Sequence, residues 1–105
     1  MTLMPRLAVF ALAMTATLAA ASAAETINIT IKSFKFTPAE VTARVGDTIV
    51  WTNADAMAHT STATGGQWDL PVPGGKTASL VVDKAGAFDY FCKIHPSMKA
   101  KLTVE

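Results

Sequence analysis

Thr26-Ile27-Asn28-Ile29-Thr30-Ile31-Lys32 alternates polar and apolar residues over seven positions. That is the period of a strand with one buried face. Phe34 and Phe36 extend the alternation, and Pro38 ends it. Val41 to Val45 forms a second short run, closed by the turn signal Gly46-Asp47. Thr48-Ile49-Val50-Trp51-Thr52 is β-prone through its branched and aromatic side chains. Asn53 to Ala58 reads as a loop, and Gly65-Gly66 and Pro71 to Gly75 as breakers. Thr77 to Val82, Ala87 to Cys92 and Lys101 to Val104 supply further strands, with a turn at Lys84-Ala85-Gly86. No ten-residue segment beyond residue 24 combines helical periodicity with caps. Short strands separated by turn signals predict an all-β sandwich or barrel.

The chain has 105 residues, enough for one domain. Half of it is hydrophobic and 16% is charged, which excludes a disordered chain. Residues 1–24 read as a secretory signal. Met1 to Arg6 is a short start with one positive charge. Leu7 to Ala21 is an apolar run too short to span a bilayer, and Ala21-Ser22-Ala23-Ala24 offers a cleavage site after Ala23 or Ala24. The expected mature unit is residues 25–105, exported to the periplasm in a bacterium, without a membrane anchor. Beyond residue 24 eight basic residues balance eight acidic ones. A broad basic field for nucleic acid is thereby excluded. Cys92 is the lone cysteine, so it cannot close an internal disulfide. In an oxidising compartment it is an intermolecular partner, a free thiol or a ligand.

The most specific stretch is Phe91-Cys92-Lys93-Ile94-His95-Pro96-Ser97-Met98. It places a thiolate, an imidazole and a thioether at C-x-x-H-x-x-M. The other histidine, His59, stands 33 residues before the cysteine. Taken singly, a Cys is a small buried hydrophobe, a His a surface or hydrogen-bonded residue, and a Met core filler. Taken together, two His, one Cys and one weak axial Met are the donor set of a blue-copper electron-transfer site. Soft sulfur suits Cu(I) and imidazole suits both oxidation states. A structural zinc site would show more Cys or His and would not use Met.

Other stretches share a pattern with this loop: Phe36 to Val41, Val45 to Trp51, Asn53 to His59 and Ala85 to Cys92. On these the sequence resembles the cupredoxins, and its ligand loop is similar to the amicyanin branch. The resemblance implies an eight-stranded Greek-key sandwich with one copper at one end. It also implies His59, Cys92 and His95 as equatorial ligands and Met98 as the axial one. The chain lacks the longer N-terminal extension of typical amicyanins, which predicts seven or eight strands. The residue after the first His is commonly Asn in that family and here is Thr60, whose single hydroxyl can make only part of the link between the ligand loops. A looser surround is expected.

The function expected is single-electron shuttling between redox partner proteins, a donor dehydrogenase or a cytochrome-like acceptor, by a monomer. Four protein ligands leave no open position, which argues against an enzyme. Partners would dock at an apolar collar of Ile94, Pro96, Met98 and Met57 around His95. Lys93, Lys99 and Lys101 read either as solvated charges or as a basic rim that steers an acidic partner. The alternative function is an exported copper carrier or buffer. Its usual mark, several Met or His clusters, is missing beyond residue 24, where only Met57 and Met98 remain. Trp51 and Trp68 read as core aromatics.

Overall fold

The computed structural model describes residues 23–105, so the expected signal segment falls almost wholly outside the described residues. Among the described residues, nine strands form two sheets. They are β1 (Thr26–Lys32), β2 (Lys35–Thr37), β3 (Glu40–Ala43), β4 (Thr48–Asn53), β5 (His59–Ala63), β6 (Asp69–Val72), β7 (Thr77–Val81), β8 (Gly86–Phe91) and β9 (Lys99–Val104). One sheet has the order β2-β1-β4-β7 and the other β3-β9-β8-β5-β6. The pairs β1/β4 and β3/β9 are parallel and the rest antiparallel. The chain changes sheets repeatedly, so the fold is the all-β sandwich expected from the strand pattern.

The count exceeds seven or eight because two expectations were too coarse. Phe34 does not continue β1. Ser33 and Phe34 have φ of +51° and +59°, and β2 turns back antiparallel with Lys32 opposite Lys35. Two positive-φ residues between paired strands make the turn whose twist matches a hairpin. Ser and Phe are unusual there, because side chains with a Cβ avoid that region. The second difference is β5 and β6. His-Thr-Ser-Thr-Ala shows no apolar alternation, yet all five residues of β5 are buried. Pro71 read as a breaker, but β6 is an edge strand, and an edge tolerates a residue that donates no hydrogen bond.

The predicted alternation of β1 holds where it matters: Ile29 and Ile31 are fully buried. They meet Ile49, Trp51, Val72, Tyr90 and Leu102 in one core. Trp51 packs edge-on against Tyr90 at 5.7 Å, Phe36 does the same at 4.8 Å, and Trp68 joins them. Both tryptophans are core residues as expected. Burying each large side chain contributes about 1.5–3 kcal/mol. A domain this small buries a modest fraction of its surface, so these few rings carry much of its stability.

Asp47 closes the end of the sandwich near Glu25. Its carboxylate accepts from the Glu25 N–H at 2.8 Å and the Arg44 N–H at 2.8 Å. The Glu25 and Arg44 amides hold its pKa below the ordinary 3.8. A depressed carboxylate stabilises the fold above its unfolded pKa and loses that contribution as pH falls through the folded value. Acid unfolding of the wild type should therefore steepen below about pH 4, and Asp47→Asn should be less stable at neutral pH with a flatter acid limb. Parallel acid-unfolding curves for the two proteins would contradict this account.

Candidate metal centre

The loop of residues 54–58, which follows Asn53 at the end of β4, leads into His59, the first residue of β5. A buried amide shapes that loop. Asn53 Nδ2 donates to Met57 O at 2.8 Å and Val72 O at 3.0 Å, while Oδ1 accepts from Asp55 N at 2.9 Å. Gly74 lies beneath it: a Cβ there would meet the Ala56 carbonyl oxygen at 2.2 Å. The second loop runs from Cys92 to Met98. Cys92 N–H donates to Met98 O at 3.1 Å and Met98 N–H to His95 O at 2.9 Å, which folds the three residue types back on one another.

These loops bring His59, Cys92 and His95 together, with one donor atom from each within 4.8 Å of the others. His59 and Cys92 are buried and His95 is half-buried. Cys92 Sγ stands 3.7 Å from His59 Nδ1. Three donors spaced around one ion at roughly 2.0–2.3 Å stand about 3.5–4 Å apart, so the cluster is sized for a metal. Among the described residues, His95 Nδ1 is buried without a hydrogen-bond partner. Such an orphan is costly unless its lone pair is used, and a metal ion would use it. Met98 is buried in the core beside the same loop.

Asp55, which stands four residues before His59, gave no distinctive signal in the sequence. Its Oδ2 lies 2.9 Å from His59 Nε2. The same carboxylate accepts from Ser33 N at 2.8 Å and Phe34 N at 3.1 Å, holding the positive-φ turn. The Phe34 and Ser33 amides, then His59, keep its pKa below 3.8. An ionised Asp55 only accepts, so Nε2 of a neutral His59 carries the proton and Nδ1 presents its lone pair toward the sulfur. A carboxylate that fixes the tautomer of a ligating His is a recurrent feature of metal sites.

The sulfur is tuned as well. Burial pushes the Cys92 thiol up, but the Thr60 N–H at 3.3 Å and the His95 and Ile94 amides outweigh it. The result is a pKa lowered from 9.0 to about 7. A thiolate is thus accessible near neutral pH. Thr60 does more than its single hydroxyl promised. Its N–H reaches Cys92 and its Oγ1 accepts from Lys93 N at 2.9 Å, so the two ligand loops are joined.

The four residues expected in an apolar collar differ in exposure. Ile94 and Met57 are each 51% exposed, and Pro96 is exposed. Met98 is not part of it, because the core takes its side chain. Phe34 takes that place. It is 45% exposed, and its ring meets His59 at 5.3 Å and His95 at 4.7 Å, both edge-on. Lys93 is not a free rim charge, since its Nζ pairs with Asp69.

The Cupredoxin-like domain family matches residues 5–104. Amicyanin-alpha of Methylorubrum extorquens is 32% identical over 83 residues, spanning 73% of this chain and 70% of that protein. The amicyanin of Paracoccus versutus is 30% identical over 88 residues, spanning 78% and 67%. A solved oxidised amicyanin variant superposes with a TM-score of 0.68 and 32% identity, covering 75% of this chain and 81% of that one. A purple cupredoxin from Nitrosopumilus maritimus shares the fold at a TM-score of 0.68 with 23% identity. A two-sheet sandwich, a Cys and two His converging at one end, and these relatives agree: the chain belongs to the cupredoxin-like family as an amicyanin-like member, and its cofactor is one type 1 copper.

Proposed function

We propose that this protein is a periplasmic, monomeric electron carrier whose copper is held by His59, Cys92, His95 and Met98. The observation that carries the reading is the convergence of one thiol and two imidazoles within 4.8 Å, with the buried Nδ1 of His95 otherwise unpartnered. Copper supplies a one-electron Cu(II)/Cu(I) couple there. The protein holds the donors in place so that little rearrangement accompanies the change of charge. Asn53 and Asp55 fix His59, and the Cys92–Met98 turn fixes the others. Four donors leave no position for a substrate, so the role is carriage of electrons and not catalysis.

Partners would meet the end of the sandwich where His95 is half-buried. Phe34, Met57, Ile94 and Pro96 make that end apolar. Weak redox complexes bury little surface and separate quickly, and a small apolar patch suits them. The partner class is a redox protein, a donor dehydrogenase or a cytochrome-like acceptor. Export follows from the signal expected over residues 1–24, with residues 25–105 as the mature unit.

The test is the visible absorption spectrum after one equivalent of Cu(II) is added to the purified protein. An intense blue thiolate-to-copper band is expected, bleached by a mild reductant and restored by an oxidant without copper loss. A colourless protein would overturn the assignment of the ligands. A blue protein that surrenders its copper on each reduction would favour the carrier function.

A further inference from the structure

β5 and β6 place Thr62 opposite Asp69, and Thr60 and Thr62 lie on one face of β5. Four groups then link in sequence. Lys93 N donates to Thr60 Oγ1 at 2.9 Å, and Thr60 Oγ1 stands 2.9 Å from Thr62 Oγ1. Thr62 Oγ1 donates to Asp69 Oδ1 at 2.8 Å, and Lys93 Nζ donates to Asp69 Oδ2 at 2.5 Å. The chain begins and ends on the residue that follows Cys92.

Proton counting fixes its direction. A hydroxyl has one proton. Lys93 and Thr62 hold Asp69 ionised, since both lower its pKa. An ionised carboxylate only accepts, so the Thr62 proton is committed to Asp69. Thr62 can then only accept from Thr60, and the Thr60 hydroxyl accepts from Lys93 N. Every donor points the same way, from the Cys92 loop to Asp69. Aligned hydrogen bonds polarise one another, so the far carboxylate strengthens the grip on Lys93 N. The exposed Lys93–Asp69 ion pair adds little energy of its own. Its contribution is to tether the Lys93 side chain and keep Asp69 facing the relay.

We infer that Thr62 and Asp69 are positioning residues for the copper centre: their relay fixes Thr60, whose N–H donates to Cys92 Sγ, and so sets the strength of the hydrogen bond on the thiolate. This rests on the electron-carrier reading. Hydrogen bonds to a ligating sulfur tune a copper site's potential. A donor on the sulfur favours the electron-rich reduced state. Weakening it should therefore lower the reduction potential.

The experiment compares wild type with Thr62→Val, Thr62→Ser and Asp69→Ala. Val has the shape of Thr without the hydroxyl, and Ser restores the hydroxyl without the methyl. Asp69→Ala lies at an exposed edge-strand position and serves if Thr62→Val fails to fold. Thr62→Val and Asp69→Ala should each lower the potential, shift the thiolate band and weaken copper retention against a chelator by about tenfold, the lower end for partners of metal ligands. Thr62→Ser should return all three toward wild type. In the copper-free protein the same two variants should speed amide exchange at Lys93. Wild-type potential, band and Lys93 exchange in both variants would overturn the relay. The exchange measurement reads the relay whether or not the wild type turns blue, so it separates failure of the relay from failure of the copper reading.

Discussion

Cys92→Ser leaves the sandwich folded and removes the blue band entirely. The side chain is fully buried, and a serine hydroxyl of similar size can still accept from the Thr60 N–H. The copper-free variant should lose only about 1–2 kcal/mol of stability, the ordinary range for a buried polar exchange. The chemistry is lost because a hydroxyl does not ionise near neutral pH, whereas the Cys92 thiol has been brought down to about 7. Metal binding requires the thiolate and releases its proton. The sign follows: in the wild type the thiol's contribution to copper affinity rises with pH up to about 7 and levels off above it. The serine variant lacks that contribution to the rise. Titrating both proteins with Cu(II) at several pH values, with absorbance as the readout, checks it. A serine variant that retains the band would remove Cys92 from the centre and overturn the ligand set.

How much of this was legible in the sequence depends on what each residue had to reveal. Ile29 and Ile31 announce their strand because a half-buried strand must alternate. Cys92, His95 and Met98 announce themselves because three rare donors in seven residues have few other uses. β5 stayed hidden because three of its five buried side chains, Thr60, Ser61 and Thr62, are hydroxyls. Two of their partners lie further along the chain: Trp68 Nε1, just before β6, donates to Ser61 Oγ at 3.0 Å, and Thr62 Oγ1 donates to Asp69 on β6 at 2.8 Å. A buried polar strand looks like a loop until its hydrogen bonds are seen. Asp55 stayed hidden for a related reason. Its two backbone partners, Ser33 and Phe34, lie more than 20 residues away, on a turn whose positive φ no local residue demands. The sequence shows the proposed donors of the metal centre, while the groups that orient them emerge only when distant loops meet.

Asn53→Ala is the polar substitution outside the ligands with the largest expected cost. Asn53 is 1% exposed and uses both amide protons and its oxygen on three backbone groups of the surrounding loops. Alanine leaves Met57 O, Val72 O and Asp55 N without those partners; water has little access to Val72 O, while Met57 O and Asp55 N are only partly buried. Stranding buried backbone groups costs about 1–3 kcal/mol each when solvent cannot reach them. Relaxation of an exposed loop recovers part of that, so a net loss of about 2–4 kcal/mol is expected. In a domain of this size each kcal/mol lowers the Tm by about 4–8 °C, which makes the drop roughly 8–32 °C. The damage should also reach the metal. The freed loop carries Asp55, which holds both His59 and the Phe34 turn, so His59 loses its fixed tautomer and its aromatic neighbour together. Copper should therefore stabilise the variant less than it stabilises the wild type, because a ligand raises Tm only in proportion to its affinity for the folded state. Melting both proteins with and without copper separates the two effects. An equal copper-induced rise in Tm would mean that His59 is held without the loop, and a Tm within about 3 °C of wild type would mean that the amide's hydrogen bonds are replaceable by water.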